Sequence, residues 1–249
     1  MRRILIILAI IILAVAGFFY YDHTMTKRDE KNRQVFDLVM TDKMRQLYEQ
    51  AQDRSKPVNI DIQDPRLTGD YKTLSEFLLK YWIKNIDTRN AYLNQLAAAR
   101  WNYFLDVKRL DADRKQNYQE TEKMIVTVRQ AMLNYQKQNA QNKKDALAQL
   151  KSLDLKVDLK KPLQSKLEQN TQLDEDNSLI LNELQILAKA EAMFEMLKKY
   201  EWEAKGRQIL FKNDAQVKQF NQLFQDVLKL NAQINDQKEQ NAEVLEEAL

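Results

Sequence analysis

The stretch LDADRKQNYQET, residues 110–121, decides how many helices this chain forms. Apolar residues follow +3/+4 spacing from Leu79 up to this stretch, and the same phase resumes after it as far as Tyr135. Such a seam is typical of coiled coils and long bundles. Two architectures fit the pattern: one helix of about 80 residues, ~120 Å long at 1.5 Å per residue, or two helices that are joined by a turn near Asp111–Arg114.

We favour the turn, because Asp111 and Asp113 are good helix N-caps. A turn also gives helical segments of similar length, and equal lengths let antiparallel neighbours bury one another. The argument for one long helix is that none of the 3 Gly and 3 Pro lies between Lys72 and Lys161. So few of these residues indicate a strongly helical chain, since Gly and Pro are the usual punctuation of strands and turns.

Two short segments alternate apolar and polar residues in the manner of strands. They are VNIDI, residues 58–62, and SLDLKVDL, residues 152–159. With five helices running up and down, both would lie at one end and could pair as a small ribbon. After the second segment, the pattern predicts a helix from Leu163 to about Lys205, followed by Gly206 as a C-terminal cap. Asn213 or Asp214 then caps the last helix.

The first residues, MRRILIILAIIILAVAGFFYYDHT, form an apolar run behind a basic start. The uncharged segment Ile4–Tyr21 suits a membrane span, which needs about 20 apolar residues. A cleaved signal peptide is the alternative, because Ala14-Val15-Ala16 fits a signal-peptidase site before Gly17. We favour retention, since cleavage would leave an unusually apolar new N-terminus. Residues 1–23 are therefore predicted to be a signal-anchor, or transmembrane, segment.

Basic residues lie on both sides of this segment. Arg2 and Arg3 favour an N-terminus inside the cell, whereas Lys27, Arg28 and their neighbours favour the reverse. We prefer the N-terminus inside, because the segment reads as an export signal whether or not it is cleaved. Residues 24–249 then lie outside the cytoplasm. For a double-membrane bacterium, this predicts a single-pass inner-membrane protein with most of the chain in the periplasm.

The predicted fold class is thus all-α. A single N-terminal transmembrane helix precedes an elongated, coiled-coil-like antiparallel bundle of four or five long helices, which fills residues 24–249.

Composition argues against several functions. Cysteine is absent, which excludes disulfides and thiol chemistry, and the lone histidine, His23, has no second histidine with which to share a metal. The net charge is only +3 and both signs are interleaved, unlike the clustered basic stripe of a nucleic-acid-binding protein. No Gly-rich phosphate loop is present. We therefore expect no enzyme activity, no cofactor, no metal and no nucleic-acid partner.

Three arginines lie on the apolar seam: Arg89, Arg100 and Arg114. They could form a polar row that binds an anionic ligand or an acidic partner helix. The alternative is that their aliphatic stems pack along the edge of the core while the guanidinium groups reach water.

Two segments carry a resemblance to a known family. GRQILFKNDAQVKQFNQLF, residues 206–224, is similar to the C-terminal part of an uncharacterised family of helical envelope lipoproteins of Gram-negative bacteria, and KNRQVFDLVM, residues 31–40, is similar to that family's first helix. The resemblance implies an envelope location and a helical bundle, and it implies no catalytic residues. Those proteins carry a lipidated cysteine that this chain lacks, so its apolar segment would have to replace the lipid.

The function expected from these observations is that of a membrane-tethered structural or protein-interaction bundle. Its partners would be the membrane, through the N-terminal helix, and other envelope proteins; homo-oligomerisation is left open. The alternative is a periplasmic ligand-binding or sensory module, or a holdase if the N-terminus is cleaved.

Overall fold

The computed structural model describes residues 27–177 and 179–248, with side-chain surroundings for residues 30–168 and 180–236. These residues form seven α-helices, one 3-10 turn and one two-stranded sheet. The helices are α1 (Lys27–Gln52), α2 (Gly69–Ala98), α3 (Val107–Arg114), α4 (Gln119–Ser152), α5 (Val157–Asn177), α6 (Leu179–Lys199) and α7 (Asp214–Ala248). The strands are β1 (Trp202–Lys205) and β2 (Gln208–Phe211).

The prediction of a mainly helical protein is confirmed. Within residues 27–177 and 179–248, no helix is both long and apolar enough to cross a membrane. The predicted transmembrane segment, residues 1–23, lies outside the described residues.

The long-helix alternative is wrong, because the chain breaks at the polar stretch. Helix α3 ends at Arg114 and α4 begins at Gln119. The turn therefore lies at residues 115–118, just after its predicted position near Asp111–Arg114, and Asp111 and Asp113 lie inside α3 rather than at N-cap positions. Between them, Asn117 and Tyr118 take positive φ values of 55° and 59°, which end a right-handed helix. A second break was not predicted: α2 ends at Ala98, and Arg100 has a left-handed conformation with φ 55°. A 3-10 turn, Trp101–Tyr103, follows it.

The described residues form two compact units. The first unit comprises residues 27–90, 137–176 and 237–248, and the second comprises residues 91–136, 177 and 179–236. The long helices α2, α4 and α7 each contribute to both units.

The first unit packs α1, the start of α2, the end of α4 and α5 around one apolar core. Helices α2 and α4 run antiparallel: Lys84 forms an ion pair with Asp145 at 3.0 Å. Further along, Asn142 Nδ2 donates a hydrogen bond to Thr88 Oγ1 at 3.0 Å. The largest side chains that are fully buried in this core include Phe36, Met40, Leu74, Trp82 and Leu150.

The second unit contains a buried cluster from α4, α6 and the hairpin. Helices α4 and α6 are antiparallel, since Arg129 pairs with Glu191 at 2.6 Å. At the other end of this contact, the Tyr118 hydroxyl donates a hydrogen bond to the Leu197 carbonyl at 2.9 Å. The buried side chains here include Val128, Met132, Leu187, Met193 and Phe194.

The segment VNIDI does not form the predicted strand. Its side chains alternate as expected, with Val58 and Ile60 buried and Asn59 exposed. Its backbone groups, however, form hydrogen bonds with side chains of α1 instead of with a second strand. The Gln50 amide both accepts from Asn59 N at 2.8 Å and donates to Asn59 O at 3.0 Å. Lys43 Nζ donates to the Asp61 carbonyl at 2.6 Å. These side chains satisfy the backbone groups that a second strand would otherwise pair.

The segment SLDLKVDL is not a strand either, so the predicted ribbon is absent from the described residues. Helix α5 begins at Val157, six residues before the predicted start at Leu163. Pro162 therefore lies inside the helix rather than at its start. Leu155 and Leu159 are buried in the core of the first unit. The apolar–polar alternation of this segment has a different cause: Leu155 is a buried loop residue, and Leu159 is a buried residue in the first turn of α5.

The predicted helix over Leu163–Lys205 ends too late. Helix α6 stops at Lys199, and residues 202–211 form an antiparallel hairpin in which Trp202 pairs with Phe211 and Lys205 with Gln208. Gly206 has φ 63° at the first of the two turn positions, the place where a type II′ hairpin requires glycine. Gly206 thus closes a β-turn and does not cap a helix.

The predicted cap of the last helix is confirmed at Asn213. Its Oδ1 atom accepts a hydrogen bond from Ala215 N at 2.8 Å. Its carbonyl also accepts the backbone N–H groups of Gln216 and Val217.

Candidate functional site

The second unit contains a cavity of about 400 Å³ where the end of α6 runs into the hairpin. Its walls are the continuous segment 197–203 together with Arg114, Tyr118 and Lys212. Aromatic rings and cationic groups thus surround one recess, a combination that is common at recognition sites.

Two buried aromatic side chains support the cavity. The Trp202 indole N–H donates to the Tyr118 hydroxyl at 2.8 Å, and that hydroxyl donates onward to the Leu197 carbonyl at 2.9 Å. The Tyr118 ring also meets Phe194 edge-on, with ring centroids 5.5 Å apart. Burial raises the pKa of Tyr118 above its ordinary value. The hydroxyl therefore stays protonated at neutral pH and acts as a structural bridge between α6 and the hairpin.

The Arg114 guanidinium group lies over the Trp202 ring. Its centre is 4.4 Å from the centroid of the Trp202 ring. Nη1 donates to the Trp202 carbonyl and Nη2 to Asp111 Oδ1, both at 2.5 Å. A guanidinium carries five N–H donors, so these two bonds leave others for a bound molecule.

The three lysines of the cavity differ in their partners. Lys198 pairs with Glu195 at 2.8 Å, and this contact raises its pKa. Lys212 pairs with Glu201. Lys199 lies over the Tyr200 ring at 5.2 Å, and no carboxylate in the described part of the chain is within ion-pair distance of it. Among the cations of this cavity, Lys199 is thus the one that no carboxylate of the described residues pairs with.

The three predicted seam arginines do not form a row in one site. Arg89 belongs to the first unit and is buried, with 1% of its surface exposed, so its guanidinium does not reach water. Arg100 is exposed in the second unit, 3.7 Å from Glu120 and 5.2 Å from the centroid of the Tyr103 ring. Only Arg114 lines the cavity.

Sequence reasoning missed Tyr118, Lys199 and Trp202 as site residues. Tyr118 lies in the polar stretch, and the other two were assigned to the interior of one long helix. The signal that could have found them is the hairpin, because WEAK and QILF are two short runs separated by Gly206 and Arg207.

In the part of the chain that the structure describes, no group of three or more His, Cys, Asp or Glu side chains is arranged to hold a metal ion. His23 lies outside that part.

No protein-family model matches this chain, and no curated protein or solved structure is significantly similar to it. The resemblance to envelope lipoproteins therefore stays a prediction.

Proposed function

We propose that this chain is a non-enzymatic, membrane-tethered protein of the bacterial envelope that acts as a protein-interaction bundle, and that it docks a partner at the cavity of the second unit. The observation that carries the proposal is the cavity itself, which is lined by an arginine that lies over a tryptophan ring and by a lysine with no carboxylate partner among the described residues. Trp, Tyr and Arg are also the residue types that contribute most to binding energy at protein interfaces.

The chemistry of the cavity favours binding over catalysis. The Tyr118 hydroxyl is already engaged as both donor and acceptor. Arginine side chains are poor general acids and bases, because the guanidinium group holds its proton tightly. The lining groups therefore supply charge, hydrogen-bond donors and apolar surface, which are the contributions that a docking site makes.

An exposed apolar residue extends this surface. In the hairpin register Leu210 lies directly opposite Glu203, which lines the cavity, and Leu210 is 38% exposed. Protein interfaces combine an apolar centre with a polar rim. Leu210 would supply an apolar element of such an interface, and the charged cavity residues would supply its polar element.

The membrane part of the proposal rests on residues 1–23. Their apolar run would hold both units at the membrane surface. Tethering raises the effective concentration of the bundle for partners in the same membrane, so that a modest affinity would suffice for docking.

A small-molecule sensory module is the second candidate. The volume of the cavity, about 400 Å³, falls within the range of small-ligand pockets. Such a ligand would occupy the cavity without contacting Leu210. The two candidates therefore differ in whether Leu210 contributes to binding.

The interaction can be tested by affinity purification of the full chain from detergent-solubilised membranes. Leu210→Asp is compared with Leu38→Asp, a matched change at an exposed leucine of the first unit. We expect a defined protein partner with the wild type and with Leu38→Asp, and its loss with Leu210→Asp. Recovery of the same proteins with all three variants would contradict docking at the hairpin.

The tether can be tested separately by cell fractionation, intact-mass analysis and protease treatment of osmotically opened cells. We expect a retained Met1, recovery in the membrane fraction and digestion from outside. A mature chain that begins at Gly17 and is recovered as soluble protein would remove the tether from the proposal.

A further inference from the structure

We infer that the cavity of the second unit recognises a carboxylate group on a short, extended peptide segment of its partner, with the carboxylate held between Arg114 and Lys199. This inference rests on the proposed docking at the same cavity, and it specifies the chemistry of the docked group.

The charge of the lining sets the charge of the ligand. The walls carry four cations, at positions 114, 198, 199 and 212, and two carboxylates, Glu201 and Glu203. Three of the cations already have a carboxylate within ion-pair distance. Among the described residues, Lys199 is the one of these four cations without a carboxylate within ion-pair distance, so an added anion finds a cation there that no ion pair occupies. Glu201 and Glu203 in the lining would repel a phosphate dianion more strongly than a singly charged carboxylate.

The geometry of Arg114 favours a planar anion. Contact with the Trp202 ring and two hydrogen bonds to the protein hold the guanidinium in one orientation. Its three remaining N–H groups lie in the same plane. A carboxylate can accept two of them as parallel bonds, and the preset orientation reduces the rotamer entropy lost on binding.

The positive charge of Arg114 is balanced only in part by its ion pair with Asp111. Its partner Asp111 lies 3.8 Å from Lys115 as well, so one carboxylate serves two cations. A second carboxylate at Arg114 therefore meets a site that is electropositive on balance.

The surroundings specify what should lie next to the carboxylate. The Tyr200 ring lines the cavity, and Leu210 is exposed opposite Glu203. These groups suit an apolar or aromatic side chain adjacent to the acidic group. A cavity of about 400 Å³ accommodates a short segment of peptide rather than a folded domain.

The test uses the full chain in detergent and four synthetic probes. They are acetyl-Gly-Ser-Leu-Phe as the free acid, the same peptide as its amide, acetyl-Gly-Glu-Phe-Ser amide, and acetyl-Gly-phosphoserine-Phe-Ser amide. Binding is followed through the NMR signal of the Trp202 indole N–H, assigned with Trp202→Phe, and by calorimetry. The free acid carries a terminal carboxylate and the glutamate peptide a side-chain carboxylate, so the tighter of the two identifies the source of the group.

We expect at least one carboxylate peptide to shift the Trp202 signal saturably and the neutral amide to bind about tenfold more weakly, the loss expected for one charge-assisted contact. Lys199→Ala should weaken binding severalfold. The matched control Lys218→Ala, at an exposed position of α7 outside the cavity, should bind as the wild type does. Arg114→Lys keeps the charge and removes the planar fork, so it should also bind more weakly.

Equal affinity for the acid and amide peptides in the wild-type protein would overturn the inference, and that comparison does not depend on any variant folding. Tighter binding of the phosphopeptide than of both carboxylate peptides would overturn it too, as would binding of none of the four probes. If these probes fail while a partner still co-purifies in a manner that depends on Leu210, the carboxylate assignment falls and the proposed docking function stands.

Discussion

The turn between α3 and α4 depends on one buried carboxylate, Asp113, which is 4% exposed. It accepts hydrogen bonds from the backbone N–H of Glu120 at 3.0 Å and of Thr121 at 2.8 Å, and from the Thr121 hydroxyl at 2.6 Å. It thereby caps α4 from the end of the preceding helix. Its Oδ2 atom also lies 3.7 Å from Nη1 of Arg109, whose side chain is only 8% exposed. We predict that Asp113→Ala destabilises the second unit strongly.

The magnitude follows from what the alanine leaves behind. Loss of a helix cap costs ~0.5–2 kcal/mol, and breaking a buried ion pair costs ~3–5 kcal/mol. Arg109 keeps three other acceptors, the carbonyls of Tyr103 and Phe104 and the Thr121 hydroxyl, so its share lies at the lower end or below. The sum is about 3 kcal/mol. Asp113→Asn retains one carbonyl acceptor and should lose about half as much.

The assay is urea unfolding of the full chain in detergent, with hydrogen exchange over residues 119–136 as a local readout of α4. Asp236→Ala, at an exposed carboxylate of α7, is the matched control. The order of the free energy of unfolding should be wild type and Asp236→Ala, then Asp113→Asn, then Asp113→Ala. If Asp113→Ala unfolded within 0.5 kcal/mol of the control, about the usual scatter of surface substitutions, this capping role would be refuted.

Three further changes test the burial and the backbone geometry described above. Burial raises the pKa of Asp37 from 3.8 to about 6, and the positive charge of Arg33 opposes this rise. The folded state therefore prefers the neutral carboxyl group. Because the unfolded state does not share this preference, the free energy of unfolding falls as the pH rises from about 4 to about 6. Asp37→Asn should therefore raise the free energy of unfolding by about 2 kcal/mol at pH 8 and leave it unchanged at pH 3 in urea titrations, and an equal effect at both values would contradict the burial argument. Leu187→Asp places a charge in the core of the second unit and should lower the free energy of unfolding by ~4 kcal/mol. Phe224→Asp, at a position that is 37% exposed, should lower it by ~1 kcal/mol. Equal losses would contradict the assignment of Leu187 as buried and Phe224 as partly exposed. Gly206→Ala meets no atom within 4 Å but must adopt φ 63°, so we expect a loss of about 1 kcal/mol in thermal unfolding, and an unchanged melting temperature would argue against the turn geometry.

Much of the helical fold could be predicted from the sequence, because helical spacing and capping residues are local signals. The apolar phase from Leu79 onward, the turn after α3 and the cap at Asn213 all depend on residues within a few positions of one another.

The errors arise where distant groups decide the local structure. VNIDI has the alternation of a strand, but Gln50 and Lys43 of α1 supply its hydrogen bonds, and no local pattern reveals those partners. Arg100 ends the long seam in a left-handed conformation without a glycine or proline to mark the break.

The candidate site was less predictable than the fold. Arg114 was identified because it interrupts an apolar seam. Its partner Trp202 is 88 residues away, and nothing in the sequence pairs the two. The support of the cavity likewise depends on distant residues, since the Trp202 indole N–H donates to the hydroxyl of Tyr118, 84 residues away in the sequence.

Site-specific photo-cross-linking in the cells that naturally make this protein tests docking at the cavity most directly. A photoreactive amino acid replaces Leu210, the exposed hairpin residue opposite the cavity residue Glu203, or, as a control, Lys218 on α7. We predict a discrete adduct with a membrane-associated protein from position 210, its loss when Lys199→Glu is added, and no such adduct from position 218. The same adducts from both positions, or an adduct from position 210 that is insensitive to Lys199→Glu, would contradict docking at this cavity.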